Sequence, residues 1–221
     1  EAGSYMHDAD PQCKWSPGAI LSPGCGAVRG GGRQRRVPHD HGSAEPMAFT
    51  PAQLFERLDA LGIEVTTREH APLFTVEESR SLRGAIPGGH SKNLFLKDKK
   101  DRLWLVVAPE DLAVDLKSLP ATIGSARISF GKPDLLGEVL GVVPGSVTPF
   151  AAINDLEGRV TVVLAEQLLA HDTLNFHPLV NTMTSTISRD GLVAFLKAVD
   201  HDPLVVALPV AEASPRGLSG A

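Results

Sequence analysis

"GGHSKNLFLKDKKDRLWLVV", residues Gly88 to Val107, decides how this chain folds. Two apolar runs, "KNLFLKD" (92–98) and "RLWLVVA" (102–108), flank a short charged stretch, which is the pattern of an antiparallel hairpin. Lys92 stands at the first residue of the first run, beside Gly88, Gly89 and Ser91, and not in the turn where solvated lysines belong. A lysine at a strand mouth, next to glycines that admit a ligand close to the backbone, can fix a phosphate or ester oxygen. The competing reading is a strand-end lysine in water.

Working outward, "TPAQLFERLDALG" reads as a helix, with Thr50 as N-cap, Pro51 at its first position, Gln53 closing a capping box and Gly62 ending it. "IEVTTREH" reads as a strand. "LFTVEESRSL" (73–82) reads as a second capped helix before the glycine-rich turn. Beyond the hairpin, "PEDLAVDLKSL" (109–119) reads as a short helix, "ARISF" as a strand and "KPDLLGEVLG" as a helix. "RVTVVLA", "TLNF" and "TMTSTIS" read as strands, and "RDGLVAFLKAV" as a last amphipathic helix. Interleaved helices and strands over residues 47–209 predict one compact α/β (α+β) domain around a mixed, largely antiparallel sheet.

Residues 1–46 differ in kind. They are dense in Gly, Pro and Arg without a sustained period, so a flexible extension is expected there, and likewise a flexible tail over 210–221. Arg29, Arg33, Arg35 and Arg36 would let such an arm touch RNA phosphates; a dispensable extension before Met47 is the other reading.

Composition excludes several classes. The chain has 221 residues, 43% hydrophobic, and no apolar run near the length of a membrane span. A net charge of −5 argues against sequence-blind adhesion to nucleic acid, though not against a local basic pocket. Cys13 and Cys25 offer neither a disulfide framework nor zinc spacing, and a cytoplasmic setting is expected. No phosphate loop, GxSxG elbow, HExxH or dinucleotide fingerprint is present, so no metal or organic cofactor is expected.

The remaining candidates are polar residues near strand ends. Asn93 follows Lys92. Gly145, Ser146, Val147, Thr148 and Pro149 form a short loop able to present backbone groups to a polar ligand. His177, before Pro178, faces a pocket or serves as a structural histidine. Arg127 opens "RISF" and either meets a phosphate or lies on an exposed edge.

Taken in order, K-N at a strand start, "PGSVTPFAAIND" and "NFHPLVNTMTSTIS" resemble the YbaK/ProX family of aminoacyl-tRNA deacylases, which is related to the editing insertion of bacterial prolyl-tRNA synthetases. The likeness runs from Ala48 to about Pro209. It implies hydrolysis of a mischarged aminoacyl ester at the 3′-terminal adenosine, foremost on alanyl-tRNA(Pro). Other mischarged tRNAs (Cys-tRNA(Pro), Ser- or Thr-charged species) and a non-catalytic tRNA- or DNA-binding module are the alternatives. It further implies Lys92, Gly145 and Pro149 as catalytic positions. Asn93, Ser146, Val147, Thr148, His177 and Arg127 are implied as substrate-binding. The implied partner is aminoacyl-tRNA, with transient association with prolyl-tRNA synthetase.

Overall fold

A computed structural model describes residues 48–71 and 86–211. The expectations placed on residues 1–46, on the 73–82 helix and on the tail past 211 lie outside the described residues. Val210 bridges Val114, and the Ala211 N–H donates to the Ala113 carbonyl at 2.7 Å, so ordered pairing runs two residues past the expected boundary.

Helix α1 (Pro51–Ala60) begins as its sequence dictates. The Thr50 hydroxyl accepts from the Gln53 N–H at 3.3 Å, and the Gln53 side chain accepts from the Thr50 N–H at 2.9 Å. Leu54 and Leu58, one turn apart, are fully buried. The strands follow as β1 (Val65–Glu69), β2 (Gly89–Asp98), β3 (Leu103–Pro109), β4 (Ile128–Phe130), β5 (Val160–Ala165), β6 (Thr173–Phe176), β7 (Met183–Ser188) and β8 (Leu204–Val206). Between them lie α2 (Leu119–Ile123), α3 (Pro133–Leu140), a 3-10 helix (Pro149–Asn154) and α4 (Arg189–Ala198). The sheet order is β1-β7-β6-β2-β3-β5-β8, with β4 also on β2. Four pairings are antiparallel (β1–β7, β6–β7, β2–β3, β2–β4) and three parallel, giving the mixed, largely antiparallel sheet that the sequence predicts.

Three local expectations are corrected. β2 starts at Gly89, so Lys92 is its fourth residue and not its first. The helix expected over 109–119 is instead a run of turns, because the Asp115 carboxylate accepts from the Lys117 N–H and the Ser118 hydroxyl and breaks the run; α2 starts only at Leu119. The segment after the last helix adds the short strand β8, which "LVV" was too brief to announce.

Two features of the sheet position the site. β3 lines one edge of β2 from Ser91 to Lys97, so β6 (at Gly89 and His90) and β4 (at Leu96 to Asp98) share the other edge. With the Ser91 hydroxyl donating to the Asn175 carbonyl and the Gly131 N–H donating to the Phe95 carbonyl, a gap remains at Lys92–Leu94. The approach to β6 is close: Gly88 has φ +107°, and a Cβ there would stand 2.6 Å from Thr173 Oγ1 and 2.8 Å from the Thr173 carbonyl. On one face of the sheet, Phe150 of the 3-10 helix makes edge-on contacts with Phe176 of β6 at 5.9 Å and Phe195 of α4 at 5.4 Å, anchoring the core.

Candidate active site

Side chains alternate along a strand, so Lys92 and Asn93 leave β2 on opposite faces. Register fixes which. Asn93 shares its face with Leu174, Phe176 and the α4 core; Lys92 shares the other with His90, Asn175 and Thr186. The sequence grouped the two as neighbours, and the fold gives them separate tasks.

Asn93 holds the loop. Its Nδ2 donates to the Val147 carbonyl at 2.9 Å, seating residues 145–147 against the gap in the sheet. Its Oδ1 is buried with no hydrogen-bond partner among the described residues. Flipping the amide would set that oxygen against the Val147 carbonyl, so the orientation is determined. Upstream, Val143 to Ser146 form a tight turn, closed by the Ser146 N–H on the Val143 carbonyl at 3.0 Å, with Pro144 second and Gly145 third at φ +91°. Downstream, the fully buried Thr148 accepts the Phe150 N–H on its hydroxyl at 3.3 Å, and Pro149 opens the 3-10 helix. Thr148 and Pro149 thus build the loop with groups already committed, whereas exposed Gly145 and half-buried Val147 present backbone. Ser146 is buried.

The end of the 3-10 helix is tied down twice. Asn154 Oδ1 accepts from the Phe49 N–H at 2.7 Å, and its Nδ2 donates to the Leu140 carbonyl at 2.8 Å. Asp155 Oδ2 accepts from the Val160 N–H at 2.7 Å and lies 3.0 Å from His201 Nε2, both side chains being buried. Asp155 closes the string "PGSVTPFAAIND", but nothing local couples it to His201, 46 residues further on.

The Lys92 face is polar. The ammonium donates to the Leu112 carbonyl, in the turn after β3, and is only partly buried. Beside it, Asn175 accepts from the Thr186 hydroxyl at 2.6 Å and donates to the Pro87 carbonyl at 3.1 Å, while His90 Nε2 donates to the Ile86 carbonyl at 3.0 Å. Asn175 and Thr184 are buried, and each finds a hydrogen-bond partner within the fold.

His177 lies just past β6. Its Nδ1 donates to the Met183 carbonyl at 2.8 Å, leaving Nε2 as a lone-pair acceptor with no partner among the described residues. Burial pushes this imidazole below its usual range; the Met183 carbonyl opposes the shift and the nearby His70 adds to it. His70, which sequence reasoning passed over, sits 6.1 Å away ring to ring and accepts on Nε2 from Thr184 at 2.9 Å, its Nδ1 donating to the Ala71 carbonyl. The chain beyond His177 reaches the loop as well: Asn181 Nδ2 lies 3.9 Å from where a Gly145 Cβ would stand. The fold therefore brings together β2 at Lys92–Asn93, the 145–147 loop and the His177 segment. Arg127 stays apart. It precedes β4, beside the Asp98 end of β2, roughly 20 Å along the strand from Lys92 at ~3.3 Å per residue.

Among the described residues no group of His, Cys, Asp and Glu could hold a metal ion, and no helix is long and apolar enough to cross a membrane.

Known proteins resemble this chain in sequence and in fold. The model of the aminoacyl-tRNA editing domain matches residues 70–195, which contain every element just described as converging. "Prolyl-tRNA synthetase associated domain-containing protein 1" of Mus musculus is 37% identical over 160 residues, covering 70% of this chain and 94% of that protein. "Prolyl-tRNA editing protein ProX" of Acetoanaerobium sticklandii is 38% identical over 143 residues, covering 64% and 87%. The crystal structure of "hypothetical protein APE2540" superposes with a TM-score of 0.57 at 20% identity, covering 70% of this chain and 97% of that one, and shares the fold. With over half its length matched by the family model, this chain belongs to the aminoacyl-tRNA editing domain family.

Proposed function

We propose that the protein is a trans-editing hydrolase that removes a wrongly attached amino acid, foremost alanine, from tRNA(Pro). The observation that carries the reading is the loop held beside the sheet's gap by Asn93, with Lys92 on the opposite face of the same strand and Asn181, in the segment after His177, reaching Gly145. The names of relatives linked to prolyl-tRNA editing support the choice of tRNA.

The chemistry is ester hydrolysis. Water attacks the aminoacyl carbonyl carbon, a tetrahedral oxyanion forms, and the bond to the ribose oxygen breaks as that oxygen takes up a proton. Lys92 exchanges the Leu112 carbonyl for the terminal nucleotide and orients the ester, an electrostatic role that needs no covalent step. Backbone of Gly145 to Val147 borders the aminoacyl group and the attacking water. The free hydroxyl of the terminal ribose serves as the first proton acceptor, assisted by backbone, and His177 bounds the amino-acid pocket with a neutral ring.

Selectivity rests on size. A proline-sized synthetase pocket rejects a residue smaller by a methylene or two by only about 1–3 kcal/mol per methylene, so a second, smaller sieve is needed. The test is hydrolysis of Ala-tRNA(Pro), Cys-tRNA(Pro), Ala-tRNA(Ala) and Pro-tRNA(Pro) by the wild type and by Lys92→Ala. Ala-tRNA(Pro) should be cleaved fastest and Pro-tRNA(Pro) spared, with Lys92→Ala inactive. Equal turnover by Lys92→Ala would refute the role of the ammonium.

A further inference from the structure

Phe130 is 62% exposed and is the one exposed Phe, Tyr or Trp side chain among the described residues. A single exposed apolar residue is ordinary in itself. Its place on the sheet is not. Phe130 pairs with Leu96 across β2–β4, and Leu96 is four residues from Lys92, so Phe130 and Lys92 share a face. Four residues at ~3.3 Å, plus one strand spacing of ~4.8 Å sideways, put the two positions roughly 14 Å apart. Stacked nucleotides advance roughly 3.4 Å each along a strand, so about four fit that span. That is the length of the unpaired 3′ end of a tRNA.

Charge at the Phe130 end supports the same occupant. Residues 97–102 and 127–134 hold Lys97, Lys99, Lys100, Arg102, Arg127 and Lys132 against Asp98, Asp101 and Asp134, in a chain of net charge −5. Arg102 is engaged by Asp98 and lies over the Trp104 ring, and Lys97 pairs with Asp101. Lys99, Lys100, Arg127 and Lys132 are exposed and make no ion pair among the described residues.

We infer that Phe130 is a stacking platform for a base at the junction of the unpaired 3′ end and the acceptor stem, held there by the surrounding cations while the terminal adenosine reaches Lys92. The inference rests on the tRNA-editing reading and adds a contact remote from the ester. An aromatic face of this kind stacks any base, so it sets affinity and reach more than sequence choice.

The test compares Phe130→Ala and Phe130→Trp with the wild type on two substrates, alanyl-tRNA(Pro) and alanyl-adenosine, alongside titration of uncharged tRNA(Pro). Phe130→Ala should raise KM for the charged tRNA, and Kd for the uncharged one, by about tenfold. Its kcat and its rate on alanyl-adenosine should stay at the wild-type level, and Phe130→Trp should restore the tRNA affinity. Unchanged KM and Kd in Phe130→Ala would overturn the inference, as would an equal loss on both substrates or a failure of Phe130→Trp to rescue. If the wild type cleaves no aminoacyl ester, the hydrolase reading falls, and the Kd series still decides the role of Phe130.

Discussion

Replacing Asn93 by alanine separates loop positioning from stability. Three contributions oppose one another. The lost Nδ2 bond to the Val147 carbonyl costs about 0.5–1.5 kcal/mol. The void left by the amide costs about another 1 kcal/mol. Against these, the variant removes an orphaned buried Oδ1, whose desolvation costs about 1–3 kcal/mol in the wild type. The contributions largely cancel, leaving a sum within about 1.5 kcal/mol of zero, so urea unfolding midpoints of Asn93→Ala and wild type should lie close together. Activity should not follow. With Val147 released, loop order worth about 1 kcal/mol is lost, and kcat/KM for a charged tRNA should fall by about five- to tenfold. Asn93→Asp, which sets a carboxylate oxygen against the Val147 carbonyl, should lose both stability and activity. Full activity in Asn93→Ala would refute the idea that this amide holds the loop for function. A large drop in stability would refute the accounting of the orphaned oxygen.

Two further outcomes follow from buried carboxylates. Asp98 is pulled down from 3.8 to about 2: burial alone would raise it, but N–H groups of Ala126, Lys100 and Arg102 and the Arg102 guanidinium outweigh burial. A carboxyl depressed on folding stabilises above its unfolded value and loses that contribution as pH falls from about 4 toward 2. Acid-unfolding profiles should therefore show an acid limb in this window that Asp98→Asn lacks. Asp155→Ala strands the Val160 N–H and the His201 ring in the interior, and urea unfolding should show a loss of about 3 kcal/mol; a loss below about 1 kcal/mol would refute the coupling.

The hairpin, the capping box at Thr50 and the glycine-proline punctuation of the 145–149 loop were legible because each is a local rule with a local cause. The same locality misled elsewhere. Lys92 and Asn93 are adjacent in sequence, yet a period of two sends their side chains to opposite faces, and only Asn93 grips the 145–147 loop. At Thr148 and Pro149 the fold adds a cap and a helix start that the loop pattern did not announce. Asp115 undid an apolar helical pattern through two short-range bonds. His70 and the Asp155–His201 contact were illegible because their meaning lies in partners 114 and 46 residues away.

The gap beside β2 has a mechanical consequence. The β1-β7-β6 part of the sheet and the β3-β5-β8 part are joined through one strand, with β6 gripping β2 only at Gly89 and His90. The width of the opening between β6 and β4 is thus fixed where a single strand carries both parts of the sheet, and the close approach at Gly88 and Thr173, which leaves no room for a Cβ, holds β6 to β2 at that junction.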